Sequence, residues 1–147
     1  MGMNGSDQSM EQRVWQRVTE QTPAVVQDAK PLLLAAREQA AVYDRLAKQM
    51  SGRNRSVLRK LQEKEGENIA CLKGICALQG IPVKGNAMVT PREPARKALE
   101  KCFHRTRRAQ TEYMARSIGG EFGEVYRALA DRSREQCVLL AELMGRL

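Results

Sequence analysis

Apolar side chains recur at alternating steps of three and four residues in the middle of the chain. The stripe comprises Leu58, Leu61, Glu65, Asn68, Leu72, Ile75 and Gln79. This spacing places all seven side chains on one face of an α-helix. Glu65 and Asn68 stand at the centre of that face, where a carboxylate and an amide cost free energy unless partners satisfy them. The pattern therefore predicts a long amphipathic helix with a polar pair at mid-core.

The same arrangement returns near the end of the chain. A second stripe comprises Phe122, Tyr126, Leu129, Ser133, Gln136, Leu140, Leu143 and Leu147. Ser133 and Gln136 again lie three residues apart in its middle. Two predicted helices thus each carry a polar pair at the same place along a buried face, as expected for the outline of one shared site.

Two further seams predict two further helices. The first seam comprises Val26, Ala29, Leu33, Ala36, Ala40, Tyr43, Ala47 and Met50, and the other comprises Leu99, Cys102, Thr106, Ala109 and Tyr113. The first predicts a helix from about Pro23 to Met50, with Pro31 placed to kink it near its start. The other predicts a helix from about Arg92 to Ile118, followed at the Gly119-Gly120 break by a last helix from Glu121 to Leu147.

These elements predict an all-α fold, an antiparallel four-helix bundle over residues 23–147. The proline-rich segment from Pro82 to Pro94 predicts a crossover loop between the second and third helices. Before the bundle, residues 1–22 are expected to form a flexible start and a short amphipathic helix over Gln8–Gln21. Because that helix has one apolar edge and carries the only tryptophan, Trp15, we expect it to lie across the bundle or at a subunit contact.

Composition narrows the class of protein. An apolar share of 42% and a charged share of 29% are those of a globular domain. No apolar run reaches the roughly 20 residues of a membrane span, and no signal-peptide segment is present, so we expect a cytoplasmic protein without a membrane partner. The four cysteines are scattered and His104 is the only histidine, which argues against a zinc site.

The layout resembles the ferritin-like superfamily, and in particular its rubrerythrin-type four-helix bundles. In that family helices two and four each present Glu-x-x-His, and helices one and three each present a Glu seven residues before a Tyr. These six side chains hold two iron or manganese ions, because hard cations need several carboxylates and two imidazoles aimed inward from i, i+3 pairs. The resemblance covers about Leu32 to Leu143, with Tyr43 and Tyr113 as the two tyrosines.

The ligand positions have diverged from that pattern. The resemblance places the six positions at Ala36, Glu65, Asn68, Thr106, Ser133 and Gln136. Only Glu65 keeps a family ligand. Glu38 and Glu112 do not replace the missing carboxylates, because Glu38 lies off its seam and Glu112 at best flanks its own. We therefore expect no metal, no catalytic residue and no cofactor, and interpret the polar positions as a buried cluster bonded to itself.

The function that follows is a non-enzymatic ferritin-like bundle, acting by protein binding or assembly as a homodimer with an unidentified protein partner. The alternative is a rubrerythrin-type oxidoreductase or metal-storage protein that still binds iron or manganese at a depleted site. A weaker alternative is association with nucleic acid through the third helix, where Lys97, Lys101, His104 and Arg108 share one outward face. No DNA-reading motif or exposed aromatic accompanies that face, so we expect it to be a solvated helix surface.

Overall fold

The computed structural model describes residues 28–85 and 90–147, and within those ranges it contains four α-helices and no strand. We number them α1 (Lys30–Gln49), α2 (Gly52–Leu78), α3 (Ala95–Arg116) and α4 (Gly123–Met144). The prediction of an all-helical fold with four long helices is therefore confirmed for the described chain. The predicted short helix with Trp15, the division at residue 22 and the seam residue Val26 lie outside the described residues.

The first helix begins later than its seam predicted. Asp28 and Ala29 are not helical, and the Asp28 carboxylate accepts a hydrogen bond from the backbone nitrogen of Lys30 at 2.9 Å. Pro31 lies in the first turn of α1, where its missing N–H would have had no intrahelical partner. The proline therefore accompanies the start of the helix and does not kink its interior.

The last two helices, α3 and α4, are shorter at both ends than the spacing predicted. Pro94 is the N-cap of α3 and restricts the residue before it to extended backbone, so the helix begins at Ala95 and not at Arg92. At the chain end α4 stops at Met144, and Leu147 is 45% exposed. Leu147 thus does not belong to the buried stripe to which the spacing assigned it.

The end of α2 is closed by a Schellman motif. The backbone nitrogen of Ile81 donates to the carbonyl of Cys76 at 2.9 Å, and that of Gly80 donates to the carbonyl of Ala77 at 3.1 Å. Gly80 has a φ of 70°, a left-handed conformation that glycine adopts without a Cβ penalty. The motif satisfies the last carbonyls of α2 and turns the chain into the proline-rich connection.

The buried apolar residues form two separate clusters. The first core cluster combines the C-terminal halves of α1 and α4 with the N-terminal halves of α2 and α3; its largest members include Tyr43, Leu46, Leu58, Leu61, Leu99, Leu140 and Leu143. The second core cluster combines the opposite halves of the same helices; its members include Leu33, Leu72, Ile75, Tyr113, Tyr126 and Leu129. Each helix therefore contributes one half to each cluster.

Between the two clusters, every helix carries buried polar residues. We call this set the polar layer: Gln39 on α1, Glu65 and Asn68 on α2, Thr106 on α3, and Ser133 and Gln136 on α4. All are at most 5% exposed. The polar layer thus separates two apolar cores, and a group placed in it is shielded from solvent on both sides along the helix axes.

Helix packing determines which side chains face one another across the layer. α1 packs against α2 and α3, and α4 packs against α3 and α2, whereas the diagonal pairs of described helices, α1 with α4 and α2 with α3, have no Cα atoms within 8 Å of each other. As for membranes, none of the helices in the described ranges combines the length and the apolarity that a bilayer span requires.

Candidate functional site

The polar layer encloses a small cavity of about 50 Å³. All six positions that the resemblance assigned to metal ligands line it: Ala36, Glu65, Asn68, Thr106, Ser133 and Gln136. These positions come from all four helices, and the three- and four-residue spacing of the seams brings them to one level. The structure therefore brings together at one cavity the residues that the sequence pattern groups.

A chain of hydrogen bonds links α2 and α4 along one wall of the cavity. Arg132 donates from Nη1 to Oδ1 of Asn68 at 2.8 Å, and Asn68 donates from Nδ2 to Oε1 of Gln136 at 3.2 Å. Gln136 then donates from Nε2 to Oε2 of Glu65 at 2.6 Å. Because each amide accepts from one neighbour and donates to the next, the chain has a single direction, from the guanidinium to the buried carboxylate.

Burial changes the acidity of Glu65. Desolvation favours the protonated form and raises the pKa of this carboxyl to about 7. The hydrogen bond from Gln136, the neighbouring Asn68 amide and the charge of Arg132 act in the opposite direction and keep the pKa from rising further. Arg132 itself is held at the edge of the bundle by an ion pair with Glu67, with Nε and Oε2 2.9 Å apart. The polar layer thus holds one carboxyl group whose pKa lies near neutral pH.

A second network links α1 and α3 on the facing wall. Nε2 of Gln39 lies 2.6 Å from Oγ1 of Thr106, 2.9 Å from the hydroxyl of Tyr43 and 3.2 Å from the carbonyl of Cys102. The Thr106 hydroxyl also donates to the carbonyl of Cys102 at 2.8 Å. The other side-chain atom of Gln39, Oε1, is buried and has no hydrogen-bond partner among the described residues. Gln39 is therefore the buried polar side chain that α1 contributes to the site.

Sequence analysis missed Gln39 because it assigned the next residue, Ala40, to the buried seam. A step of four from Ala36 reaches Ala40 and a step of three reaches Gln39, and hydrophobicity alone favours the alanine at the buried position. In the structure Gln39 is 5% exposed and Ala40 is half-buried. The available signal was Tyr43, four residues after Gln39, since polar pairs at that spacing face each other on a helix.

Arg116 is a second buried polar residue that the spacing did not reveal. It is 8% exposed near the end of α3, three residues after the seam residue Tyr113. Its Nη1 donates to the backbone carbonyl of Asp28 at 2.8 Å and to the hydroxyl of Tyr126 at 3.2 Å. Its Nε pairs with Glu112 at 2.9 Å. Arg116 therefore ties the start of α1 to α3 and α4, away from the cavity.

The donor set does not fit two divalent ions. Among the described residues, Glu65 is the only carboxylate that lines the cavity. Glu38 and Glu112 pair instead with Arg105 and Arg116, and neither lines the cavity. In the described part of the chain, no three His, Cys, Asp or Glu side chains are grouped so that they could hold a metal ion. Two ions of charge +2 would meet one carboxylate and several neutral amides and hydroxyls, far fewer anionic ligands than such ions require.

The cysteine thiols and the outward face of α3 lie outside the site. All four cysteines are free; Cys76 and Cys102 are buried, and burial raises the pKa of Cys102 to about 12, which leaves it a protonated and inert thiol. On α3 the side chains of Lys97, Lys101, His104 and Arg108 are exposed, as their spacing predicted, and Lys101 pairs with Glu93 at 2.6 Å.

Comparison with protein-family models, with curated proteins and with solved structures gives no match for this chain. Its function must therefore be argued from the site itself.

Proposed function

We propose that the chain is a ferritin-like bundle with antiparallel neighbouring helices. The composition of the two core clusters supports this arrangement, because α1 and α4 enter the first cluster with their C-terminal halves, and α2 and α3 enter it with their N-terminal halves. On this view α2 and α3 run in the same direction on opposite corners, so their connection between Leu78 and Ala95 must cross the length of the bundle. One long crossover of this kind is the mark of ferritin-like bundles.

The polar layer takes the place of a di-metal centre in this proposal. The hydrogen bond from Gln136 to Glu65 carries this proposal, because it satisfies with a neutral donor the one carboxylate that the described residues contribute to the cavity. Asn68 and Gln136 stand where the family has histidines, yet they use their amides to bond each other. The network therefore stabilises Glu65 in the absence of an ion, and the cluster serves to fix how the four helices align.

A bundle whose centre does no metal chemistry acts through its surface, by protein binding or assembly in the cytoplasm. We expect a homodimer. Two of the most exposed apolar side chains are Leu78 at 77%, the last residue of α2, and Ile118 at 81%, two residues after the end of α3. Both follow the second core cluster, where a subunit contact would cover them. Light scattering that gives the mass of two chains would support assembly, and a monomer at high concentration would contradict it.

The framework itself is tested by restoring the family ligands. The five substitutions are Ala36→Glu, Asn68→His, Thr106→Glu, Ser133→Glu and Gln136→His. We expect this variant to bind iron or manganese in a ratio near two per chain, because its side chains would then converge on the cavity with four carboxylates and two imidazoles. The control carries only Asn68→His and Gln136→His, and should bind neither ion stoichiometrically.

A five-substitution variant that retains its helical circular dichroism but takes up no metal would contradict the ferritin-like assignment. Two ions per chain in the unmodified protein, coordinated at Glu65, would instead favour the oxidoreductase or metal-storage alternative.

A further inference from the structure

The charge of the protein is concentrated on one side of the polar layer. We call the described residues around the first core cluster the basic half; they are 40–64, 90–105 and 137–147. This half contains 13 lysines and arginines against 5 aspartates and glutamates, a net charge of +8. The described residues of the other half, 28–39, 65–85 and 106–136, contain 10 against 9, a net charge of +1. Nearly all of the net positive charge of the described residues therefore lies at one end of the bundle.

Carboxylates in the basic half are too few for the cations around them. Asp44 pairs with both Lys48 and Arg59, at 3.0 and 2.7 Å. Glu142 likewise pairs with both Arg53 and Arg146, at 2.7 and 2.9 Å. These neighbours lower the pKa of both carboxyls, so both stay ionised at neutral pH.

Several cations of this half form no direct ion pair, although Lys97 and Lys60 lie close enough to Glu93 and Glu135 to lower the pKa values of those carboxyls. Lys60, Arg92 and Lys97 are exposed and form no ion pair within the described residues. They come from α2, from the connection before α3 and from α3 itself. The positive surface therefore extends around this end of the bundle and beyond the single face of α3 that the sequence analysis considered.

Helix direction adds to the positive potential. Both α2 and α3 begin in the basic half, so the positive ends of their dipoles lie there. Neither helix has an acidic residue in its first turn, where acidic side chains would normally offset the dipole. Basic residues stand there instead, among them Arg53 on α2 and Arg96 on α3. Arg53 and Arg96 each have a single carboxylate partner, Glu142 and Glu100, and a bound polyanion would offset the positive charge that remains.

The chemistry of the surface distinguishes between anionic partners. Protein interfaces are centred on buried aromatic and apolar anchors and are poor in lysine, whereas nucleic-acid interfaces are more polar and more positive. Of the large apolar side chains that are exposed in the described chain, only Val138 and Leu147 belong to the basic half, and neither is aromatic. In this half the half-buried Phe103 ring lies edge-on against the exposed His104 ring and under the Arg107 guanidinium, so little aromatic surface is open to single-stranded bases, while cations for phosphates are abundant.

We infer that the basic half binds the phosphate backbone of a double-stranded nucleic acid without reading its sequence. This inference goes beyond the proposed function and does not depend on whether the polar layer binds metal. It also departs from the sequence-based expectation that nucleic acid is not a partner, because that expectation rested on α3 alone.

The test measures fluorescence anisotropy of labelled 20-base-pair duplexes, two DNA sequences and one RNA, titrated with the full chain. With about four phosphate contacts, affinity should fall about 100-fold between 50 and 200 mM salt, and equally for both DNA sequences. A variant with Lys60→Glu, Arg92→Glu and Lys97→Glu should bind at least about 10-fold more weakly and lose about 3 from the slope of log affinity against log salt. The DNA and RNA arms show which duplex the surface prefers.

The matched control reverses three exposed lysines of the other half, Lys30→Glu, Lys73→Glu and Lys84→Glu, with the same change in net charge. It should keep most of the affinity. The inference is contradicted if neither duplex binds at 50 mM salt, if the control loses as much affinity as the test variant, or if single-stranded DNA binds as tightly as the duplexes. Tighter binding of polyglutamate than of the duplexes would also contradict it, since an acidic protein would then be the partner.

Discussion

Nε2 of Gln136 lies 2.6 Å from Oε2 of Glu65, which joins the buried faces of α4 and α2 inside the polar layer. Glu65 is 5% exposed, so this contact replaces water that the carboxylate would otherwise have. A carboxylate in such a place is stable only as far as its neighbours compensate for lost hydration. The predictions below therefore examine the neighbours of Glu65 and the packing that buries it.

Stability should depend on pH through Glu65. Its pKa rises from about 4.5 in the unfolded chain to about 7 in the folded chain, so the folded state retains the proton over that interval. Because the folded state then binds more protons than the unfolded state, the free energy of unfolding falls as the pH rises from 4.5 to 7. The stabilising contribution of protonated Glu65 is therefore largest at low pH and smallest above pH 7. Between pH 5 and pH 8, Glu65→Gln should gain about 2 kcal/mol of unfolding free energy relative to the unmodified chain.

Urea denaturation at the two pH values measures this difference. The control is Glu135→Gln on the exposed surface: the Lys64 amine lowers the pKa of Glu135, so both states are ionised above pH 5. The stability of that variant relative to the unmodified chain should not change between pH 5 and 8. An equally flat difference for Glu65→Gln would mean that Glu65 is not buried as described.

Gln136→Met should destabilise the protein in a pH-dependent way. The substitution removes the amide that donates a hydrogen bond to Glu65 and accepts one from Asn68. It replaces glutamine with an apolar side chain of similar length. We expect a loss of about 1–3 kcal/mol, greater at pH 8 than at pH 5, because an ionised carboxylate suffers more than a neutral one from a missing donor. Chemical denaturation of Gln49→Met, at an exposed position of α1, supplies the control; an effect as large there would contradict a role specific to the layer.

The register of α4 is tested by two neighbouring apolar residues. Leu140 is fully buried in the first core cluster, whereas Val138 is 65% exposed. Leu140→Ala should cost about 2–5 kcal/mol of unfolding free energy, and Val138→Ala within about 0.5 kcal/mol. Thermal and urea denaturation measure both. Equal losses would show that the two residues are buried alike, which the observed register forbids.

Much of the fold could be predicted because the seams are regular. The stripe from Leu58 to Ile75 is buried at every position that the spacing selected, including Glu65 and Asn68. Its polar members were informative because they broke an otherwise apolar face. Periodicity thus located both the helices and the level at which they meet.

The parts that could not be predicted depend on contacts between helices. Gln39 and Ala40 both satisfy the spacing, and the Thr106 hydroxyl and Cys102 carbonyl on the facing α3 favour burial of Gln39. Arg116 is buried because the Asp28 carbonyl and the Tyr126 hydroxyl accept its hydrogens, and those partners are distant in sequence. The charge pattern of α3 alone likewise did not reveal the basic half, since α1, α2, the connection before α3 and the end of the chain also contribute cations to it.

The proposal that the polar layer stabilises Glu65 without an ion is tested most directly by the metal content of the purified, unmodified protein. Elemental analysis by mass spectrometry should give iron and manganese far below one per chain, even after incubation with either ion and removal of the excess. The unmodified protein should also show neither ferroxidase nor peroxidase activity. Two iron or manganese ions per chain, lost on Glu65→Gln substitution, would contradict the account.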